Sequence, residues 1–143
     1  MATERRAEVT WTGDLMSGGG TIDSVGSGAF GPLDVSWAAR AEEPGGKTSP
    51  EELIAAAWAS CFAMALSAGL ARGGTPPERL STSATVTFQP GEGIIKGALT
   101  VRGSVPGLDA AGFQSAAEGA KENCPVSKAL TGIPDVTVDV ALD

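Results

Sequence analysis

Cys61 and Cys124 are the only thiols in a 143-residue chain that has no histidine and no tyrosine. Without imidazole, no Ser-His or Cys-His pair can activate a nucleophile, and the usual nitrogen ligand of zinc or iron is missing. Two thiols cannot complete the four-ligand shell of a structural zinc site. The pair is suited instead to thiolate chemistry with a second thiol behind it: attack, oxidation and resolution as a disulfide. The plainer alternative is two small buried hydrophobes, because free cysteine is among the most buried residue types.

The flanking residues differ. Cys124 precedes Pro125 and opens a short helix, which can set its sulfur near the positive end of a helix dipole and lower its pKa. Cys61 lies among Trp58, Phe62 and Met64, and apolar surroundings alone would raise its pKa and leave it inert. A nucleophilic Cys61 therefore needs a cation brought from elsewhere in the fold. Arg40, at the end of the apolar run Val35-Ser36-Trp37-Ala38-Ala39, is one source, although an ordinary surface arginine would have the same sequence signature.

The elements that must position these residues can be read from turn and cap chemistry. Ala7 to Thr12, Thr21 to Asp23 and Leu33 to Arg40 read as strands, separated by the glycine-bearing loops at Gly13 to Gly20 and Gly26 to Pro32. Ser49-Pro50-Glu51-Glu52 starts a helix, with Ser49 as N-cap, Pro50 at the first helical position and acids at the positive end of the dipole. Leu80, Thr82, Ala84, Val86 and Phe88 alternate with polar residues, and Ile95, Gly97, Leu99, Val101 and Gly103 answer them, so the two segments form a hairpin. Asp109 caps a helix running to about Glu122, and Cys124-Pro125 ends it. A short helix follows through Leu130. The last strand is Val136 to Leu142, with Val136, Val138, Val140 and Leu142 on its buried face. Helices and strands are mixed without regular βαβ alternation, which is the α+β class.

From Leu53 to Ala71 no residue carries a charge. The stretch is long enough to weigh as a membrane span, but it is largely alanine, interrupted by Ser60, Ser67 and Gly69, and set in a soluble-looking mixed chain. A helix apolar on every side must be enclosed on every side, and a domain of this size cannot wrap it from its own chain. A second subunit is the simplest cover, so an obligate homodimer is expected. The length suits one domain, residues 1–143. The net charge of −7 argues against a nucleic-acid partner. The N-terminus shows no apolar signal region, so a cytoplasmic location is expected, where a cysteine pair is more often redox-active than structural. No P-loop, dinucleotide fingerprint or CxxC is present.

WTGDL at 11–15, the arginine-ending segment at 33–40, TSPEELIAAAWASCFAMALS at 48–67, VPGLDAAGF at 105–113 and ENCPVSKAL at 122–130 together resemble the osmotically inducible protein C (OsmC) family. Its superfamily includes the organic hydroperoxide resistance proteins. The resemblance implies an OsmC-like fold, antiparallel sheets packed around a long central apolar helix in an intertwined dimer. It also implies a thiol-dependent peroxidase acting in oxidative and osmotic stress defence without metal, flavin or haem. Carried over by motif, Cys61 is the peroxidatic thiol and Cys124 the resolving one. Arg40 stabilises the Cys61 thiolate, and Glu51 orients Arg40. The segment Asp14 to Gly20 lacks the arginine of the organic hydroperoxide resistance branch, which favours OsmC proper. Trp58 departs from the family, where many members have histidine or another residue.

The expected substrates are organic hydroperoxides and hydrogen peroxide, with an external dithiol as reductant, a lipoylated protein being one candidate. Trp58, Phe62, Met64 and Phe30 would form an apolar lining for an alkyl or fatty-acyl chain. Two other functions stay open: a general thiol–disulfide oxidoreductase, weakened by the absence of CxxC, and a non-catalytic binding dimer. Glu51 and Cys61 are about 15 Å apart along a straight helix, further than one arginine side chain spans. Bringing Glu51, Arg40 and Cys61 together therefore needs a bend in the helix or a second chain, and sites formed across the dimer interface are expected, with Arg40 crossing.

Overall fold

The computed structural model describes residues 1–143, which form in order strands β1 (Ala7–Thr12), β2 (Gly19–Val25) and β3 (Leu33–Val35), helices α1 (Trp37–Ala41) and α2 (Pro50–Arg72), strands β4 (Arg79–Gln89) and β5 (Gly93–Ser104), helices α3 (Ala110–Asn123) and α4 (Pro125–Ala129), and strand β6 (Asp135–Leu142). The chain divides into two compact units, Met1–Glu51 and Glu52–Asp143, and the boundary falls within the first turn of α2. This is an α+β architecture with two three-stranded sheets and one long helix.

In the first unit β1, β2 and β3 pair antiparallel in sequence order. A Cβ on Gly20 of β2 would lie 2.7 Å from the Trp11 ring and 3.0 Å from Val35, so any side chain there would require those neighbours to shift. The third strand is shorter than the sequence suggests. It stops at Val35, and Trp37–Ala41 is helical, with the Ser36 hydroxyl accepting the Ala39 N–H at 3.1 Å. A serine N-cap followed by two alanines wins over the extended reading of the apolar run. A bridge between Val35 and Thr48, with the Thr48 N–H donating to the Asp34 carbonyl at 3.2 Å, then folds the chain back to the start of α2.

In the second unit the alternation of β4 is carried through, with Leu80, Thr82, Ala84, Val86 and Phe88 half-buried and the residues between them exposed. β5 lies antiparallel to β4. β6 pairs with β5 in parallel, so this sheet is mixed rather than wholly antiparallel. The reason is topological: a parallel neighbour needs a crossover, and α3 with α4 supplies it. Asp109 caps α3 by accepting the Gly112 N–H at 2.7 Å. α2 ends where Gly74 takes φ +89°, with Thr75 N–H bonded to the Leu70 carbonyl at 2.9 Å and Gly74 N–H to Ala71 at 3.1 Å. This paired closure over a left-handed glycine is the Schellman arrangement.

The core of the second unit is one cluster: Trp58, Phe62, Leu66 and Leu70 of α2 against Leu99 and Val101 of β5 and Phe113, Ala117 and Ala120 of α3. The α2 members recur every fourth residue, so they form one stripe, each worth about 1.5–3 kcal/mol of burial. The other side of α2 is uncovered: Ala56, Ala57, Ala68 and Ala71 are exposed, and Met64 keeps 72% of its surface. By length and hydropathy α2 could cross a membrane, and only 22% of its most apolar window is buried within this chain. Ser60 causes no polar penalty, because its hydroxyl donates to the carbonyls of Ala56 and Ala57.

Trp58 reaches the sheet only because β5 carries glycine opposite it. A Cβ on Gly97 would stand 2.7 Å and 2.9 Å from two atoms of the indole ring. Gly97→Ala should therefore destabilise the reduced protein by about 1–3 kcal/mol, the usual cost of overpacking, seen as a lower urea midpoint with an unchanged slope. An unchanged midpoint would mean that the indole has room to move.

Candidate active site

Cys124 is placed by the break between α3 and α4. Its N–H still bonds back to the Ala120 carbonyl at 2.8 Å, and its extended backbone (φ −65°, ψ 117°) meets the demand of the proline that follows. It thus closes one helix and opens the next. Cys61 lies on α2 at the edge of the buried stripe, beside exposed Ala57, Met64 and Ala68. The two sulfurs are 3.0 Å apart, both reduced, with Cys124 fully buried and Cys61 half-buried.

The surroundings of the two thiols act in opposite directions. Burial pushes the Cys61 thiol up, and its bond to Cys124 pushes it further, while the Val126 N–H opposes both. Burial also acts against ionisation of Cys124, but this thiol is nevertheless held below the ordinary range by the proton shared with Cys61 and by the Ser127 and Val126 groups of α4. No full capping bond reaches the Cys124 sulfur; the α4 N–H groups lie near enough to favour its charge. Within one chain the sulfur that ionises more readily is therefore Cys124, and Cys61 still needs a cation, as its sequence surroundings implied.

Trp58 contributes a contact that the sequence reading left unassigned. Its indole N–H donates to Ser127 Oγ at 2.8 Å. A signal was present, since a tryptophan in an all-apolar segment requires an acceptor for its one donor. Both residues line a cavity of about 540 Å³ whose apolar side is made by Leu130, Ile133 and Val136. Of the residues expected to form an apolar lining, Trp58 borders this cavity, Phe62 is sealed in the core, and Met64 and Phe30 are exposed. Nowhere do three or more His, Cys, Asp or Glu side chains converge as metal ligands would.

Arg40 and Glu51 meet in the first unit. Arg40 sits in the last turn of α1, not at a strand end, and Glu51 in the first turn of α2. Arg40 Nε donates to Glu51 Oε1 at 2.9 Å and to Oε2 at 3.2 Å, and Nη2 donates to Oε2 at 2.8 Å. This is a planar fork held by both carboxylate oxygens, a geometry that arginine makes and lysine does not. Glu51 is 6% exposed, so its charge depends on that partner. The structure thus forms two pairs, Arg40 with Glu51 and Cys61 with Cys124.

Arg40→Ala would leave a buried carboxylate without its cation. The expected loss is about 2–3 kcal/mol, less than the roughly 3–5 kcal/mol of fully buried pairs because Arg40 is partly solvated. Adding Glu51→Gln to Arg40→Ala should recover much of it, and Arg40→Lys should fall between. Urea unfolding of the four proteins measures this series; a double variant no more stable than Arg40→Ala would show that the stranded charge is not the cost.

The family model described as OsmC-like protein matches residues 43–139, a span that contains Glu51 and both cysteines. The chain is 38% identical over 145 residues to the peroxiredoxin OsmC of Escherichia coli (strain K12), covering 99% of each. It is 35% identical over 101 residues to an organic hydroperoxide resistance protein of Xanthomonas axonopodis pv. citri, covering 68% of this chain and 69% of that one. Among solved structures, the organic hydroperoxide resistance protein OhrB of Bacillus subtilis shares 26% identity at a TM-score of 0.63, over 96% of this chain and 98% of that one. An OsmC organic hydroperoxide resistance protein from Legionella pneumophila shares 25% at 0.69, over 95% and 96%. The paired thiols, the fold that holds them and these likenesses agree, and the chain belongs to the OsmC-like protein family.

Proposed function

We propose that the protein is a cysteine-based peroxidase that reduces organic hydroperoxides, and hydrogen peroxide, in oxidative and osmotic stress defence. The observation that carries this reading is the pair of reduced sulfurs 3.0 Å apart, one half-buried and one sealed, in a chain whose relatives are named peroxiredoxin and organic hydroperoxide resistance protein. Cys61 is the peroxidatic thiol, because its sulfur is the one that peroxide can approach. Its thiolate attacks the distal peroxide oxygen, the O–O bond breaks, and the leaving alkoxide takes a proton to become alcohol. Sulfur has then lost two electrons and carries the hydroxyl as sulfenic acid. The Cys124 thiolate attacks that sulfur, forms the disulfide and expels hydroxide, which leaves as water. An external dithiol, with a lipoylated protein one candidate, restores both thiols and is itself oxidised to a disulfide.

The cation that Cys61 needs is supplied by Arg40, held by Glu51. An ordinary thiol, pKa about 8.5, is only a few per cent ionised at neutral pH, and an adjacent guanidinium reverses that while donating to the developing charge on the peroxide oxygen. The unburied flank of α2 runs past Cys61, so a second copy covering that flank would also border the thiol. An intertwined homodimer meets both needs, enclosing α2 and bringing Arg40 of one copy to Cys61 of the other, with residues 1–143 acting as one peroxidase domain. The cytoplasm, where thiols are kept reduced, is the compartment that suits this cycle.

After one equivalent of cumene hydroperoxide under anaerobic conditions, wild type should lose both free thiols, and Cys124→Ser should stop at a sulfenic acid that a trapping reagent labels at Cys61. Label on Cys124 in Cys61→Ser, with none on Cys61 in Cys124→Ser, would reverse the roles. Refolding inactive Cys61→Ser together with inactive Arg40→Ala should recover activity through mixed dimers carrying one intact site. Mixed dimers verified by native mass spectrometry but still inactive would put Arg40 and Cys61 on the same chain.

A further inference from the structure

The hydrogen bond between Trp58 and Ser127 has no part in the cycle described so far. An indole N–H only donates, and at 2.8 Å it occupies a lone pair of Ser127 Oγ. The hydroxyl then keeps its own proton to give. Trp58 is held firmly, 1% exposed and pressed against Gly97, so the direction it imposes on the hydroxyl is fixed. Ser127 lies in the first turn of α4, three residues after Cys124, and its backbone N–H and hydroxyl both act to hold the Cys124 thiol down. The charged groups about the pair are Cys61 on α2 and, around the shared cavity, Glu118, Lys121 and Glu122 of α3 and Lys128 of α4. The charges of the two acids and two lysines sum to zero, and the groups that bear most on the Cys124 thiol are Cys61, Ser127 and Val126.

We propose that Trp58 and Ser127 are positioning residues for the second half of the cycle, the indole aiming the Ser127 proton at Cys124 so that this sulfur serves as thiolate both in attacking the Cys61 sulfenic acid and in leaving the disulfide. The inference rests on the peroxidase reading above. It also gives the reduction a direction. Cys124 is 0% exposed and Cys61 is not, so the incoming dithiol attacks Cys61, and the better-stabilised thiolate of Cys124 departs. The S–S bond between the cysteines breaks as the bond from reductant to Cys61 forms. The second reductant thiolate then displaces Cys61, which takes up a proton.

Ser127→Ala, Ser127→Thr and Trp58→Phe test this by the lifetime of the trappable sulfenic acid after one equivalent of cumene hydroperoxide, measured against pH. Losing the hydroxyl should lower the thiolate fraction below its pKa, and because the more basic sulfur is a better nucleophile and returns part of that loss, resolution should slow a few-fold. The pH midpoint of resolution should move up in Ser127→Ala, return in Ser127→Thr, and move partway in Trp58→Phe. Reduction of the isolated disulfide by dithiothreitol should slow in the same order. Equal lifetimes and midpoints in wild type and Ser127→Ala would overturn the proposal, and Trp58→Phe identical to wild type would overturn the part given to the indole. A wild type that forms no sulfenic acid would instead sink the peroxidase reading itself.

Discussion

The enclosure of α2 is the constraint to which the rest of this molecule answers. A helix without a charged residue from Leu53 to Ala71 has no face that prefers water, yet its own chain covers only the stripe at Trp58, Phe62, Leu66 and Leu70. The bulkiest residues lie on that stripe, and the exposed side is mostly alanine with Met64. Small side chains allow another helix to come close, and methionine adapts to the surface it meets. The thiol that faces outward stands beside this unfinished surface. The exposed apolar flank and the half-buried thiol of Cys61 therefore fall in one place on α2.

Electrostatics gives the same division by another route. Burial alone works against ionising either sulfur. Cys124 overcomes it through the proton shared with Cys61 and the neutral donors of the first turn of α4, because it sits where two helices meet. Cys61 is mid-helix, where the backbone amides are already committed to the turn before, so no comparable supply of local donors exists for it. The two thiols thus meet the same desolvation in different surroundings, each set by position along a helix.

Much of this was legible in the sequence. Strand alternation from Leu80 to Phe88, the Asp109 cap and the break at Cys124-Pro125 depend on interactions within a few residues, and such interactions are written into neighbouring side chains. The family resemblance paired Arg40 with Glu51 and Cys61 with Cys124, and each pair is in contact. Less legible was the segment after Val35, where an apolar run reads as strand while its serine cap and alanines read as helix. That choice depends on a competition of about 1 kcal/mol, small enough for the surrounding structure to decide it.

What the sequence determined by itself is therefore local and chemical: which residue types could react, where helices begin and end, which side of each strand faces inward, and that one helix is too apolar to remain uncovered. The tertiary structure alone decided the 3.0 Å between sulfurs 63 residues apart, the parallel entry of β6 beside β5, the withdrawal of Phe62 into the core and the bond from Trp58 to Ser127. These are long-range outcomes. They follow from how crossovers, close-packed volumes and glycine gaps such as Gly97 fit together, and no short window of residues contains that information.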